Sequence, residues 1–135
     1  MGAKYMNTGL LQALNDLIGT QLSGAKVHLY TNNYTPTPSS LPSNFTELIA
    51  SGYTAYAVPA WSSPVLGSDG FYTTNGTPNT WTNTGGVPWS AVYGWYITDS
   101  TDLNVISAGL FVGAIVVGVG GNLPFGAVIA CGSEY

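Results

Sequence analysis

"VYGWYITDSTDLNVISAGLF", residues 92–111, decides the fold of this chain. Val92–Thr98 and Val105–Phe111 are rich in β-branched and aromatic residues, and "DSTDLN" between them is made of residues whose side chains bond their own backbone in turns. That pattern predicts a β-hairpin. Tyr93, Trp95 and Ile97 alternate with Val92, Gly94, Tyr96 and Thr98, so both faces carry apolar or aromatic groups. Such a hairpin is expected at the centre of the fold, covered on both sides.

The segments around it speak the same language. "KVHLYT" (Lys26–Thr31) predicts a strand with Val27, Leu29 and Thr31 on one face and His28 and Tyr30 on the other. "GYTAYAVPAW" (Gly52–Trp61) carries Pro59, which places it at a sheet edge or a strand end. "DGFYTTNG" lies between two turn dipeptides, and "NTWTNT" is a short strand ended by Gly85, Gly86 and Pro88. "AIVVGV" and "FGAVIA" supply the last two strands, with "GGNLP" as their connection. Only residues 8–19 read as a helix: Thr8 can cap it, Leu10, Leu11, Leu14, Leu17 and Ile18 recur at helical spacing, and Gly19 can close it. Seven or eight short strands and one helix, without strand–helix alternation, predict a mainly β chain. The expected form is a single domain over residues 1–135, an antiparallel, jelly-roll-like β-sandwich with a short N-terminal helix.

Charge narrows the function. Asp, Glu, Lys and Arg make up 6% of the 135 residues, against about a quarter in ordinary domains. There is no arginine, and the lysines are Lys4 and Lys26. Nucleic-acid binding draws its affinity from several cations neutralising phosphates, so this chain is not expected to bind nucleic acid. A basic membrane-surface helix is excluded on the same ground. "AGLFVGAIVVGVGG" is too short and too glycine-broken to span a bilayer, and the N-terminus does not read as a signal peptide. A neutral surface is instead expected to be covered, by copies of the chain or by a larger assembly.

Few residues could carry chemistry. His28 is the single histidine, so any triad must use it, but a hydrogen-bonded strand histidine is the expected role. Cys131 stands alone in an apolar run and reads as a small hydrophobe. Asp99, Asp102 and Asn104 gather in the hairpin turn, where oxygen ligands could hold calcium, yet their spacing matches no EF-hand loop and turns favour these residues anyway. No catalytic residue, cofactor or metal site is expected. Tyr34, Pro36, Pro38, Trp61, Trp81 and Trp89 lie in polar, turn-rich stretches and are the candidate contacts with a neighbouring subunit or a glycan. Asn32–Ser43 is the one long loop, and its prolines fix an extended, donor-poor arm.

One resemblance adds to this. "LYTNNYTPTPSSLPSNFTELIASGY" and the later "VYGWYITDSTDLNVISAGLF" resemble a group of small tailed-bacteriophage and prophage proteins. The likeness runs through Leu29, Thr31–Asn33, Thr35–Pro38, Phe45–Glu47, Gly52, Tyr53 and Tyr93–Thr98, about two thirds of the chain from Val27 to Phe111. The signature contains no catalytic residues. It implies a virion structural protein assembled in the host cytoplasm, of the capsid decoration or cement type. Together with the missing charge, it leads to the expected partners: itself, as a homotrimer, and a major capsid or other virion protein. A glycan-binding tail or head-fibre module is the alternative it leaves open.

Overall fold

The computed structural model describes residues 7–131, and it is mainly β with one helix. Helix α1 spans Asn7–Gly19. The strands are β1 (Lys26–Tyr30), β2 (Tyr56–Ala57), β3 (Val65–Leu66), β4 (Tyr72–Asn75), β5 (Asn79–Thr82), β6 (Val92–Thr98), β7 (Val105–Ile115), β8 (Asn122–Phe125) and β9 (Val128–Cys131). They form three antiparallel sheets in a sandwich-like arrangement, with orders β2-β1-β6-β7, β3-β4-β9 and β5-β8. Of the expected helix, Thr8 and Leu10 fall outside the described side chains.

The four-stranded sheet separates two cores. Val27, Leu29, Val92 and Ile97 on its front face join Leu14 and Leu22 from the helix region, and Trp81, Leu123 and Ile129 from the smaller sheets. Its back face carries Tyr30 and Tyr96, covered by Phe45 from the segment between β1 and β2, whose ring stacks on Tyr96 at 4.4 Å. Alternation along β1 produces this split, since Val27 and Leu29 face one core while His28 and Tyr30 face the other.

The hairpin forms with the expected first strand, but four details of the expected β pattern differ. Pairing shifts between Val92 and Gly94, so Val92 enters the front core while Tyr93 joins the back-face aromatics. The strict alternation expected over residues 92–98 therefore breaks at its first step. Only β6 is covered on both sides; β7 ends the sheet and is exposed or half-buried throughout. "AIVVGV" is not an independent strand, because β7 runs on to Ile115 and stops. "GGNLP" is not a mere connection either. Asn122–Phe125 pairs with β5, with Leu123 buried opposite Trp81. Pro124 is tolerated there because a two-stranded sheet has only edges.

Two glycines on the hairpin allow close approach. A Cβ at Gly94 would first meet the Gly109 carbonyl and then the Tyr30 ring, whose hydroxyl would be 2.6 Å away, and one at Gly109 would sit 2.8 Å from the Trp95 indole. Gly109 is the register partner of Trp95, so the indole lies across its bare backbone.

Candidate functional site

Part of the scarce charge is gathered in one place. Lys26, His28, Glu47 and Asp102 meet around the end of β1 in one hydrogen-bonded chain. His28 lies on the back face of β1, 5% exposed, its ring stacked on Tyr96 at 4.5 Å. Its Nδ1–H donates to Glu47 Oε2 at 2.7 Å, because a carboxylate can only accept. Its Nε2 lies 2.8 Å from Thr98 Oγ1 and 3.3 Å from Asp102 Oδ1. Lys26 Nζ donates to Asp102 Oδ2 at 2.8 Å. The Tyr53 hydroxyl accepts from the Leu29 amide at 3.0 Å and donates to Glu47 Oε2 at 2.6 Å.

The pKa values follow from these contacts. Burial alone would raise Glu47, but hydrogen bonds from His28 and Tyr53, together with the histidine's charge, outweigh it and hold the carboxyl below its ordinary value. The hydrogen bond from Lys26 holds Asp102 low as well, against a smaller desolvation cost. Burial pushes the Tyr53 and Tyr96 phenols up, reinforced by Glu47 in both cases.

Hydroxyl, imidazole and carboxylate in line, here Thr98, His28 and Glu47, is the constellation of nucleophilic catalysis. Geometry alone does not make it work. Thr98 is 1% exposed, and no reacting carbonyl can come within reach of its Oγ1 without the back face opening. What the network does in this structure is join β1, the loop before Tyr53, β6 and the hairpin turn. Sequence reading foresaw a hydrogen-bonded strand histidine but not its partners, which lie 19 and 70 residues away.

The turn acids serve the backbone. Asp99 Oδ1 accepts from the amides of Thr101 and Leu103 and from the Thr101 hydroxyl, while Oδ2 accepts from Asn104. These bonds, led by those from Asn104 and Thr101, bring its pKa down to about 2. Asp102 takes the left-handed conformation, with φ 62°. Among the described residues no group of three or more His, Cys, Asp or Glu is placed to hold a metal ion.

The tryptophans correct the expectation of an aromatic contact surface. Trp81 and Trp89 are each 4% exposed and belong to the front core, and Trp61 is half-buried against it. Each indole N–H instead donates to a loop carbonyl: Trp61 to Leu22 at 2.9 Å, Trp81 to Thr54 at 2.8 Å and Trp89 to Ser51 at 3.0 Å. They are bolts that pin loops to the core. Polar neighbours in sequence misled the reading, because those neighbours are the loops being pinned. Asn83 was missed for the same reason. It is 2% exposed and holds the Val87 and Val117 carbonyls and the Gly85 amide.

The proline arm turns back on its own subunit. Tyr30 Oη donates to the Tyr34 carbonyl, Tyr34 Oη meets Ser40 Oγ at 2.7 Å, and Ser40 Oγ accepts from the Thr37 amide. Tyr34 and Pro36 are half-buried and Pro38 is exposed. Pro36–Pro38 and Ser40 form one wall of a groove of about 300 Å³ whose other wall is Val105–Ala108 of β7.

The exposed apolar groups lie elsewhere. Leu110 and Val112 on β7, with Val116 and Val119 just beyond it, are open to solvent, and Val112 is fully so. Val105–Cys131 contains no charged residue. Ile49 and Val87 face another groove, of about 290 Å³, on the loops held by Asn83 and Trp89. No family model, curated protein or solved structure matches the chain.

Proposed function

We propose that this protein is a non-enzymatic virion structural protein that associates with copies of itself, as a closed homotrimer, and decorates or cements a bacteriophage capsid through a major capsid or other virion protein. The observation that carries the association is β7. It is an eleven-residue edge strand with solvent-exposed Leu110 and Val112 and no charge to repel a neighbour. Monomers guard such edges with lysine, proline or a covering segment. Closing the edge in a ring leaves no unpaired strand, and a standard interface of about 1,600 Å² holds a stable complex when its centre packs well. The virion location and the capsid partner rest on the resemblance around Leu29–Tyr53 and Tyr93–Thr98. A glycan-binding module draws no support from Trp81 and Trp89, whose faces are not available to a sugar.

Light scattering on a sizing column, followed by sedimentation with purified particles, tests this reading. A concentration-stable oligomer that co-sediments supports it. A monomer at every concentration, with no particle binding, overturns it.

A further inference from the structure

Four strands end the two larger sheets, and they are not treated alike. β2 and β3 are two residues long, and Pro59 and Pro64 lie beside them. Short edges flanked by proline offer little to an incoming strand. β7 and β9 are eleven and four residues long and carry neither proline nor charge. Among the described residues, no backbone hydrogen bond engages either of them apart from those to β6 and β4.

These two edges, which carry no charge or proline of their own, share one groove, although the proline arm also lies beside Val105–Ala108. Val105–Ser107 of β7 and Val128–Ala130 of β9 line it together, with Leu17 and Gln21 from α1 and the turn after it, and its volume is about 370 Å³. β7 and β9 belong to different sheets and do not pair with each other. Each therefore presents unmatched N–H and C=O groups, and only a polypeptide backbone in extended form supplies both donors and acceptors at strand spacing. Three residues of strand span about 10 Å, so the groove pairs a short segment whose ends run on along β7.

We propose that this groove is a strand-addition site that takes an uncharged, extended segment from a second copy of this chain. The inference rests on the self-association reading above and adds where and how the copies join. Charge identifies the occupant. None of the lining residues is charged, so a charged segment would lose its hydration with nothing to replace it. An ordinary protein surface, about a quarter charged, fits such a groove badly. This chain, 6% charged, can offer it exposed apolar stretches that need no charge to be buried.

The test reads mass and amide exchange on the whole protein. In the wild-type oligomer, amides of both β7 and β9 are expected to exchange at least tenfold more slowly than in the monomer obtained by dilution. Val128→Lys and Ala130→Lys alter exposed positions on the β9 edge and are expected to raise the dissociation midpoint at least tenfold, with the circular dichroism of the fold unchanged. Ile49→Lys, more exposed still but on another groove, is the control and should leave the midpoint where it is. A wild-type protein that is monomeric throughout overturns self-association and this site together. An oligomer in which β7 and β9 gain no protection, or which ignores both lysines, overturns the strand-addition site alone. A dilute monomer already fully protected at both edges also overturns it, because the groove would then be filled by its own chain.

Discussion

β6 and β7 are two arms of one hairpin, drawn from the same kinds of residue, and they have opposite fates. β6 lies between β1 and β7, with Val92 and Ile97 wholly buried in the front core and Tyr96 in the back. β7 has a neighbour on one side only, and Leu110 and Val112 face water. Hydrophobicity does not distinguish them. Position in the sheet does, and position is set by partners remote in sequence: β1, which pairs with β6 along Lys26–Tyr30, and the loop that lays Phe45 over Tyr96. The difference teaches that in a chain this poor in charge, apolar character marks two things. On β6 it marks the core, and on β7 it marks a surface free to be covered.

The contrast breaks first, and hardest, on β6. Ile97→Ala removes a fully buried side chain from the front core and is expected to cost about 2–5 kcal/mol of stability. Leu110→Ala, on β7 and 43% exposed, should cost well under half as much. Urea denaturation of both variants measures the difference, and equal losses would mean that β7 is as buried in solution as β6.

The next effect comes from the back face, where the core is polar. Glu47→Ala leaves the His28 Nδ1–H and the Tyr53 hydroxyl without their shared acceptor, an expected loss of about 1–3 kcal/mol near neutral pH. The pH dependence has a definite sign. Glu47 and Asp102 titrate lower in the fold than at their ordinary values of 4.5 and 3.8. Their stabilisation is therefore complete above those values and disappears as pH falls through the folded ones. Wild type and Glu47→Ala should converge in stability as pH falls below 4.5 and on through the lowered folded value of Glu47. A gap that stays constant from neutral pH down would show that the carboxylate's charge does not carry the effect.

Local signals in the sequence were enough for much of this fold. The helix over residues 8–19, the strands Lys26–Tyr30 and Val92–Thr98, and the edge strand before Pro59 all follow from periodicity and turn chemistry. Three things did not, each for a physical reason. Val92 and Tyr93 exchange faces at an irregular pairing, which no alternation pattern encodes. Asn122–Phe125 becomes a strand because Trp81 needs Leu123 beside it, although "GGNLP" reads as a turn. The tryptophans were expected at the surface because Thr, Ser, Asn and Gly surround them, yet in this chain such residues also form the loops whose carbonyls the buried indoles bind. The candidate site was less legible still. Nothing local in "KVHLY", "FTEL" or "ITDSTD" says that Lys26, His28, Glu47 and Asp102 meet, and an edge strand differs from a central one only through neighbours that sequence order does not reveal.

The smallest effect on stability belongs to the position that should matter most for association. Val112 is fully exposed on β7, so Val112→Asp touches nothing buried and is expected to change unfolding stability by less than about 0.5 kcal/mol. If β7 is an interface, the same substitution sets a charge where each neighbouring copy is neutral, and that charge must be desolvated on contact. Oligomer mass should then fall at protein concentrations that keep the wild type assembled, and salt should restore little of it, because desolvation and not long-range repulsion is responsible. Ile97→Ala, tested at concentrations where it remains folded, should show the reverse: lower stability and unchanged association. The pair separates two roles for the same chemistry. If Val112→Asp instead leaves the mass untouched, the exposed face of β7 is not part of the contact, and the copies must meet elsewhere, on the groove of Ile49 and Val87 or at the edge of β9.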